Sequence, residues 1–280
     1  MTEILAFALD TARRAGCLLR EFANQQHTIN HKSTVIDLVT EADLASESLI
    51  VAAIRTQFPD HTIQSEEGLG DLGAVVQHAP HLWLVDPLDG TVNYAHGYPM
   101  WGVSLALAEA DVMVMGVVYD PLRDEIFWAE RGQGAWLDCP GNRGTRLKVS
   151  GTAKLQESLL ATGFPYRLAS LADNNLAEFN AIVPRAQGVR RAGAAVLDLA
   201  HVAAGRLDGY WEKHLQPWDW AAGWLLVEEA GGTVTALDGR PWKLQENNMA
   251  ASNGLMHDEL LNVFQHAMVG KEWRSPWVTS

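Results

Sequence analysis

The spacing of apolar residues predicts that the chain begins with two helices. In residues 2–22, apolar side chains such as Leu5 and Leu9 recur every three or four positions, which is the period of an amphipathic helix. Residues 41–58 predict a second helix. It ends before Pro59, because the residue preceding a proline disfavours the helical conformation.

The following part of the chain is typical of strands in an antiparallel sheet. Residues 102–108 and 112–119 are long apolar segments, joined at 109–111 by a short polar break that suits a hairpin. Residues 141–144 contain two glycines and predict a turn. Shorter strands are predicted at 61–65, 81–85, 125–129 and 134–137.

After about residue 150 the pattern changes to alternating strands and helices. This alternation indicates α/β layers, whereas the first half indicates an α+β arrangement. The pattern allows one domain over residues 1–280 or two pseudo-halves, 1–150 and 151–280. The second half predicts strands at 159–162, 207–211 and 249–251, and helices at 173–187, 194–204, 219–230 and 257–268.

The composition is that of a soluble globular protein, and its charge argues against one class of partner. Of the 280 residues, 48% are hydrophobic and 20% are charged. The 34 acidic and 21 basic residues give a net charge of −13. This charge repels a phosphate backbone at long range, so we expect no nucleic-acid partner. It would also repel a small phosphate ester, unless bound cations reverse the local charge.

Neither disulfides nor membrane segments are expected. Cys17 and Cys139 are the only cysteines and form no CxxC pattern, so a disulfide framework or a zinc–thiolate site is not predicted. The most apolar segment, 101–118, is interrupted by Glu109 and Asp111 and does not predict a transmembrane helix. The N-terminal residues lack the basic segment of a signal peptide. Together these features predict a cytoplasmic protein.

The segment from Asp86 to Thr91 is the most informative one for chemistry. It follows the apolar residues 82–85, so Asp86 lies where a buried strand leaves the core, and a tight turn brings Asp89 close to it. Gly90 permits close backbone approach, and the free N–H groups of a helix that begins at Thr91 can hold an anion. Carboxylates beside such a backbone predict a bridging hard cation. A lone Asp-Pro or Asp-Gly pair, by contrast, is usually only a turn.

Other acidic positions become candidates beside this segment. Glu66 and Glu67 follow the strand predicted at 61–65, and adjacent acids repel each other unless a cation or water separates them. Asp219 begins an apolar helix between two tryptophans, where it can be an ordinary cap or a buried carboxylate that needs a metal. Asp43 can orient a hydroxyl group or simply cap the second helix.

Competing chemistries have weaker signals. No HExxH motif occurs, so a zinc hydrolase is disfavoured, and no GxSxG or GxxxxGK[ST] motif is present either. Arg190 and Arg191 can pair with acids, cross a subunit interface or contact a substrate phosphate, and the sequence does not choose between these roles.

In order and spacing, these motifs resemble the inositol monophosphatase family of Mg-dependent, lithium-sensitive sugar phosphatases. The resemblance extends over residues 32–232, most of the chain. Ser65 and Gly68 depart from the expected pattern, in which a glycine often precedes the acidic pair and a serine or threonine follows it. The matching segments are 37–43, 66–67, 86–99, 193–195, 210–212 and 218–232.

The resemblance implies a layered α-β-α-β-α sandwich that forms a single domain over residues 1–280 and often assembles as a homodimer. It also implies two or three Mg²⁺ ions per site. One ion would be held by Glu66, Asp86 and the carbonyl group of Leu88. A third and weaker ion would involve Glu66 and, through water, Glu67.

The second ion implied by the resemblance would lie between Asp86, Asp89 and Asp219. The substrate phosphate would lie on the N–H groups of Gly90 and Thr91, next to Asp89. In-line attack by an activated water would then expel the alcohol without a phosphoenzyme.

The resemblance also implies roles for residues around the phosphate. Glu66 and Thr91, whose hydroxyl group Asp43 polarises, would position and deprotonate the attacking water. Lys32 would lie near the metals and the phosphate. The substrate's hydroxyl groups would face Gly193, Ala194, Ala195 and Glu212.

The expected function is hydrolysis of myo-inositol 1-phosphate or a related polyol phosphate. Histidinol phosphate, fructose 1,6-bisphosphate and 3′-phosphoadenosine 5′-phosphate are alternative substrates. Glu212 suits both a hydroxyl-rich ring and a cationic amine, so it does not choose between them. The non-enzymatic alternative is a metal-binding scaffold protein that keeps the fold but has no catalytic activity. A degenerate copy would have lost a metal ligand or Thr91, and none is missing.

Overall fold

The computed structural model describes residues 2–23, 29–31, 38–71, 79–166, 171–244 and 246–268. No helix in these segments is both long and apolar enough to cross a membrane. The helices are α1 (Glu3–Ala23), α2 (Glu41–Gln57), α3 (Thr91–Ala95), α4 (Leu176–Ile182), α5 (Ala195–Ala203), α6 (Pro217–Glu229) and α7 (His257–Met268).

The first half of the chain forms a seven-stranded sheet in which neighbours in sequence are neighbours in space. The first pair of strands is parallel and all the others are antiparallel. Two further strands, β1 (Ile29–His31) and β2 (Leu38–Thr40), form a separate antiparallel pair. The strands of the large sheet are β3 (Thr62–Ser65), β4 (His81–Asp89), β5 (Gly102–Glu109), β6 (Val112–Asp120), β7 (Glu125–Glu130), β8 (Ala135–Cys139) and β9 (Asn142–Arg146).

The second half forms a mixed sheet of five strands. The strand β10 (Leu159–Thr162) pairs in parallel with β11 (Gly188–Arg190) and with β12 (Gly209–Lys213). The other edge is antiparallel, and there β12 pairs with β14 (Asn248–Ser252), which pairs with β13 (Thr233–Thr235).

Helices and sheets alternate in five layers. On one face of the large sheet, α1 and α2 bury Leu5 and Ile50 against Trp83 of β4. The helices α5 and α6 lie between the two sheets, and β6 approaches α6 so closely that a Cβ on Gly116 would meet the backbone of Ala222 at 2.9 Å. On the outer face of the small sheet, α7 packs Phe264 against Trp211. This order confirms the predicted α-β-α-β-α sandwich.

Two predicted elements were wrong. The long helix expected over 173–187 is only the short α4. Its first turn is preceded by Asn175 in a left-handed conformation (φ 71°), and Pro184 after Val183 has no N–H group with which to continue the helical hydrogen bonds. The turn expected over 141–144 lies slightly earlier, because Cys139 already pairs with Asn142 and the following residues form the exposed edge strand β9.

Candidate active site

A cavity of about 400 Å³ collects acidic residues that are far apart in the sequence. It is lined by the residue after β3, by the end of β4 and the turn that follows it, by the start of α5, by the ends of β10 and β12, and by the start of α6. Among the described residues, a single Lys or Arg side chain, that of Arg191, reaches this lining. The six carboxylate side chains of the lining belong to Glu66, Asp86, Asp89, Asp198, Glu212 and Asp219.

An irregularity in β4 turns two of these carboxylates towards the cavity. Residues three apart on a regular strand point to opposite faces. The β4–β5 register shifts between Asp86 and Asp89, where Pro87 lies, so both side chains reach the cavity. Asp86 is buried, and its Oδ1 accepts a hydrogen bond of 3.0 Å from the backbone N–H of Leu88. Ser46 of α2 holds the carbonyl group of Pro87 at 2.9 Å.

The turn after β4 depends on a glycine. Gly90 has φ 88°, which favours glycine, and a Cβ there would meet the carbonyl oxygens of Met100 at 2.9 Å and Gly193 at 3.2 Å. The next residue, Thr91, begins α3. Its Oγ1 donates a hydrogen bond of 3.0 Å to Oδ1 of Asp43, with the carbonyl of Leu88 as a second acceptor at 3.2 Å.

Asn93 joins the loops of the two sheets beside the cavity. Its Nδ2 donates a hydrogen bond of 2.7 Å to the carbonyl group of Met100, a residue just before β5 of the large sheet. The same atom reaches the carbonyls of Ala192 at 2.8 Å and Gly193 at 3.2 Å, which precede α5. The walls formed by the turn after β4 and by the start of α5 are therefore linked by one side chain.

The carboxylates destabilise one another's charged forms. Burial, followed by the charges of Glu66 and Asp89, raises the pKa of Asp86 well above its usual value. For Asp89, removal from bulk water and the charge of Asp219 raise the pKa, and the N–H of Val196, which donates to Asp89 at 2.9 Å, opposes this shift. The cluster therefore favours additional positive charge.

The chemistry of these donors fits a hard divalent cation, although the ligand set is not preassembled. In the part of the chain that the structure describes, no three His, Cys, Asp or Glu side chains are arranged as a ready metal site. Buried acidic oxygens that raise one another's pKa match the preference of Mg²⁺ for carboxylate ligands.

The opposite wall of the cavity is organised around Glu212. Burial raises the pKa of Glu212 to about 7, while the hydroxyl group of Tyr210, which donates to it, and the charge of Arg191 oppose the shift. Gly163 leaves room for this carboxylate, because a Cβ on Gly163 would overlap it. At neutral pH, Glu212 is thus near the midpoint of its titration.

Most of the residues predicted for the site meet here. Asp43 is buried behind Thr91, and Glu67, although adjacent to Glu66, is not part of the lining. Lys32 lies outside the described residues. The predicted residues that line the cavity are Glu66, Asp86, Leu88, Asp89, Gly90, Thr91, Gly193, Ala194, Ala195, Glu212 and Asp219.

For Asp219, the capping role and the cavity role coexist. Its Oδ2 accepts a hydrogen bond of 2.7 Å from the backbone N–H of Gln216, which forms half of a capping box at the start of α6. The same side chain lines the cavity and raises the pKa of Asp89. The cap fixes the direction of a carboxylate that faces the other acids.

The sequence analysis missed Asp198 and the aromatic part of the lining. Asp198 lies in α5, and burial together with the charge of Glu212 raises its pKa well above the usual value. A single acid in a helix that is otherwise almost entirely apolar was the available signal. The aromatic residues Phe164, Tyr166 and Trp218 also line the cavity, but their spacing in the sequence shows no pattern.

The layered fold and the acidic cavity fit a phosphatase. The profile of the inositol monophosphatase family matches residues 1–268, and the chain belongs to this family. It is 45% identical to an inositol-1-monophosphatase of Synechocystis sp., over 91% of this chain and 86% of that protein. It is 44% identical to a protein of Pseudomonas aeruginosa named Nus factor SuhB, over 95% of this chain and 97% of that one.

A solved structure agrees with this assignment. The inositol monophosphatase of Anabaena (Nostoc) sp. PCC 7120 superposes on the chain with a TM-score of 0.83 at 44% sequence identity. The match covers 94% of this chain and 95% of that chain.

Proposed function

We propose that the protein is a Mg²⁺-dependent phosphomonoesterase that hydrolyses myo-inositol 1-phosphate or a related polyol phosphate. The observation that carries this proposal is the meeting, in one cavity, of the Asp86–Asp89 carboxylates, the glycine turn at Gly90 and the polar wall at Glu212. Membership of the family supports phosphatase activity, and the similarity to an inositol-1-monophosphatase supports the polyol class.

The acids of the cavity are the proposed holders of two or three Mg²⁺ ions. Bound Mg²⁺ would supply charge neutralisation for the phosphate and the leaving alcohol, and would lower the pKa of the attacking water. Glu67 would contribute only through water, because it does not line the cavity. The proposed direct ligands are the side chains of Glu66, Asp86, Asp89 and Asp219 and the carbonyl group of Leu88.

Thr91 and Asp43 are proposed to orient the attacking water. Because Asp43 accepts the proton of the Thr91 hydroxyl group at 3.0 Å, the lone pairs of Oγ1 remain available to accept a hydrogen bond from water. Glu66, on the same cavity, is the proposed base that accepts the second proton of that water.

The backbone at Gly90 and Thr91 is the proposed seat of the phosphate. The first N–H groups of a helix have no partner within the helix and favour an anion. The left-handed conformation of Gly90 lets the turn approach a ligand without a side chain in between. Lys32, by the family resemblance, would add a positive charge here.

The wall of Glu212 and the Gly193–Ala195 segment is proposed to bind the hydroxyl groups of the alcohol. When ionised, Glu212 accepts hydrogen bonds from a polyol, and it also attracts a cationic amine. Histidinol phosphate is therefore the alternative substrate that this side chain itself supports. Fructose 1,6-bisphosphate and 3′-phosphoadenosine 5′-phosphate remain further members of the test panel.

Phosphate release from these four esters, measured with and without Mg²⁺, tests the proposal. We expect the highest kcat/KM with myo-inositol 1-phosphate, no turnover without the metal, and inhibition by millimolar lithium. Preference for histidinol phosphate would assign the alternative substrate. Absence of turnover on all four esters would overturn the enzymatic proposal.

A non-enzymatic role is the second candidate, and the relative named Nus factor SuhB supports it, because that name does not describe a phosphatase. The presence of every predicted acid and of Thr91 favours catalysis.

We also propose that the chain forms one domain, assembles as a homodimer, acts in the cytoplasm and binds no nucleic acid. Sedimentation velocity would test the dimer.

A further inference from the structure

A buried glutamate lies behind the acidic cavity and does not line it. Glu47 of α2 is 0% exposed, and its Oε1 accepts hydrogen bonds from the hydroxyl group of Ser65 and from the backbone N–H of Leu69, the latter at 2.8 Å. These two partners lie on either side of Glu66, one directly before it and one three residues after it. Glu47 therefore joins the two ends of the segment that carries Glu66.

The same segment is folded back onto β3 by further hydrogen bonds. The N–H of Gly70 donates to Oγ of Ser65 at 3.0 Å, and the N–H of Asp71 donates to the carbonyl of Ile63 at 2.6 Å. Oδ2 of Asp71 accepts from the N–H of Ile63 at 2.9 Å. A Cβ on Gly70 would meet the carbonyl oxygen of Ile63 at 2.5 Å, so only glycine permits this approach.

Glu66 itself is tied to the neighbouring strand. Its backbone N–H donates to the carbonyl of Val85 at 3.2 Å, directly before Asp86. The backbone of Glu66 is thus held from β4, while the segment after it is held from α2 through Glu47. The direction in which Glu66 leaves the sheet follows from these two attachments.

A contribution to stability does not by itself explain why a glutamate is buried at position 47. Its second carboxylate oxygen, Oε2, is buried and has no hydrogen-bond partner among the described residues. A buried carboxylate with one unsatisfied oxygen is a poor way to stabilise a core, and such a group calls for another explanation. The charge-assisted hydrogen bonds of Oε1, in contrast, are directed at one short segment beside the cavity.

We propose that Glu47 and Ser65 are positioning residues that hold Glu66 in the orientation needed to bind the metal. The inference rests on the proposed function, since it assigns Glu66 as a ligand. Ser65 is one of the positions at which this chain departs from the family pattern, and its hydroxyl group makes the contact with Glu47. Neither residue lines the cavity, so both act through the backbone around Glu66.

The test measures metal binding by the full-length protein in the absence of substrate. Glu47→Gln keeps the size and one acceptor oxygen but removes the charge. We expect the dissociation constant for Mg²⁺, measured by titration calorimetry on metal-free protein, to rise about tenfold or more, the usual effect of changing a partner of a metal ligand. A dissociation constant within about twofold of the parent would overturn the proposal, since such a change is far below that effect.

The chain offers a matched control for this variant. Asp208 is also a buried carboxylate that accepts hydrogen bonds from a serine hydroxyl, Ser150 at 2.5 Å, and from a backbone N–H, Leu159 at 2.6 Å. It does not line the cavity. Asp208→Asn should lower the melting temperature and leave Mg²⁺ binding at the parent value. Equal weakening of Mg²⁺ binding in both variants would contradict a specific role for Glu47.

Hydrogen exchange provides a readout that needs no metal. In metal-free Glu47→Gln, the amides of Leu69 and Gly70 should exchange faster, while those of β6 stay unchanged. If Glu47→Gln does not fold, Ser65→Ala carries the same two measurements, because it removes only the hydroxyl group. Unchanged exchange at Leu69 and Gly70 would overturn the positioning role of Glu47, whether or not the protein hydrolyses phosphate esters. If exchange is altered but no ester is hydrolysed, only the phosphatase proposal is overturned.

Discussion

Oγ1 of Thr91 lies 3.0 Å from Oδ1 of Asp43, and both side chains are buried. The two residues come from the start of α3 and the first turn of α2, so the contact connects the turn after β4 to the outer helical layer. The Thr91 hydroxyl has one proton, and its two acceptors, Asp43 and the carbonyl of Leu88, both belong to the protein. The hydroxyl group consequently presents its lone pairs to the site.

This geometry predicts that the hydroxyl group of Thr91 is essential, whereas its methyl group is not. Thr91→Val keeps the shape and should lower kcat by roughly 10²-fold or more, in the range for loss of a group that assists proton transfer. Thr91→Ser should retain most of the activity. Thr11→Val, at a buried hydroxyl in α1 that has no hydrogen-bond partner among the described residues, is the matched control. A Thr91→Val enzyme with parent kcat would contradict the role given to the hydroxyl group.

Asp89→Asn should separate activity from stability. Asparagine keeps an acceptor for the N–H of Val196 but removes a charge whose pKa is raised by burial and by Asp219. We expect at least about a 100-fold loss of Mg²⁺-dependent activity, because metals supply several kcal/mol of charge stabilisation. The metal-free variant should melt at a higher temperature than the metal-free parent. Phosphate release and thermal unfolding measure the two effects, and unchanged activity would refute the metal site.

The pKa of Glu212 predicts a pH dependence of stability. It is raised from 4.5 in the unfolded chain to about 7 in the folded protein, mainly by burial. The folded state binds the proton of Glu212 more tightly than the unfolded chain does. The resulting contribution to the free energy of unfolding is fully present below pH 4.5 and is lost as the pH rises through about 7.

Glu212→Gln should remove this dependence. In denaturant titrations of the metal-free proteins, we compare the free energies of unfolding of variant and parent. Between pH 4.5 and pH 8, this difference should shift in favour of the variant by on the order of 1–3 kcal/mol, since each pKa unit is worth about 1.4 kcal/mol. Contact with water in the cavity reduces the gain below its full value. A stability difference between the two proteins that stays constant with pH would contradict the raised pKa of Glu212.

The position of the Glu212 carboxylate can also be tested by changing Gly163, the glycine that leaves space for it. Gly163→Ala places a methyl group where the carboxylate lies, and the flexible side chain of Glu212 must move. We expect KM for the polyol phosphate to rise roughly tenfold, equivalent to about 1.4 kcal/mol, with a smaller change in kcat. Gly151→Ala, where a Cβ meets no heavy atom within 4 Å, should leave both constants unchanged. Steady-state kinetics with the two variants decides whether Glu212 contacts the substrate.

The motif around Asp86 allowed the part of the site from Asp86 to Thr91 to be predicted from short-range rules, whereas Glu212 and the Gly193–Ala195 segment were expected only from the family resemblance. A buried strand followed by a proline and a glycine predicts a tight turn that brings Asp86 and Asp89 together. In contrast, Asp198 and the aromatic lining depend on how α5 and the β10 segment pack against the large sheet. No local pattern contains that information.

The fold errors have the same origin. The helix expected over 173–187 includes Pro184, which lacks the N–H group needed to continue a helix, and the observed helix ends at Ile182. Glu47 was missed for a different reason. On the sequence it is one of three acids in α2, and only the fold shows that its carboxylate is buried and bonded to Ser65 of β3.

The contacts of Asn93 have a consequence for how the activity arises. This one amide group fastens the loop before β5 to the loop before α5, across the junction of the two halves of the chain. A polypeptide cut near residue 150 would leave the carboxylates of β4 on one fragment and Asp219 with Glu212 on the other. Catalysis by mixed fragments would then be a direct assay of their complementation, because neither fragment carries a complete cavity.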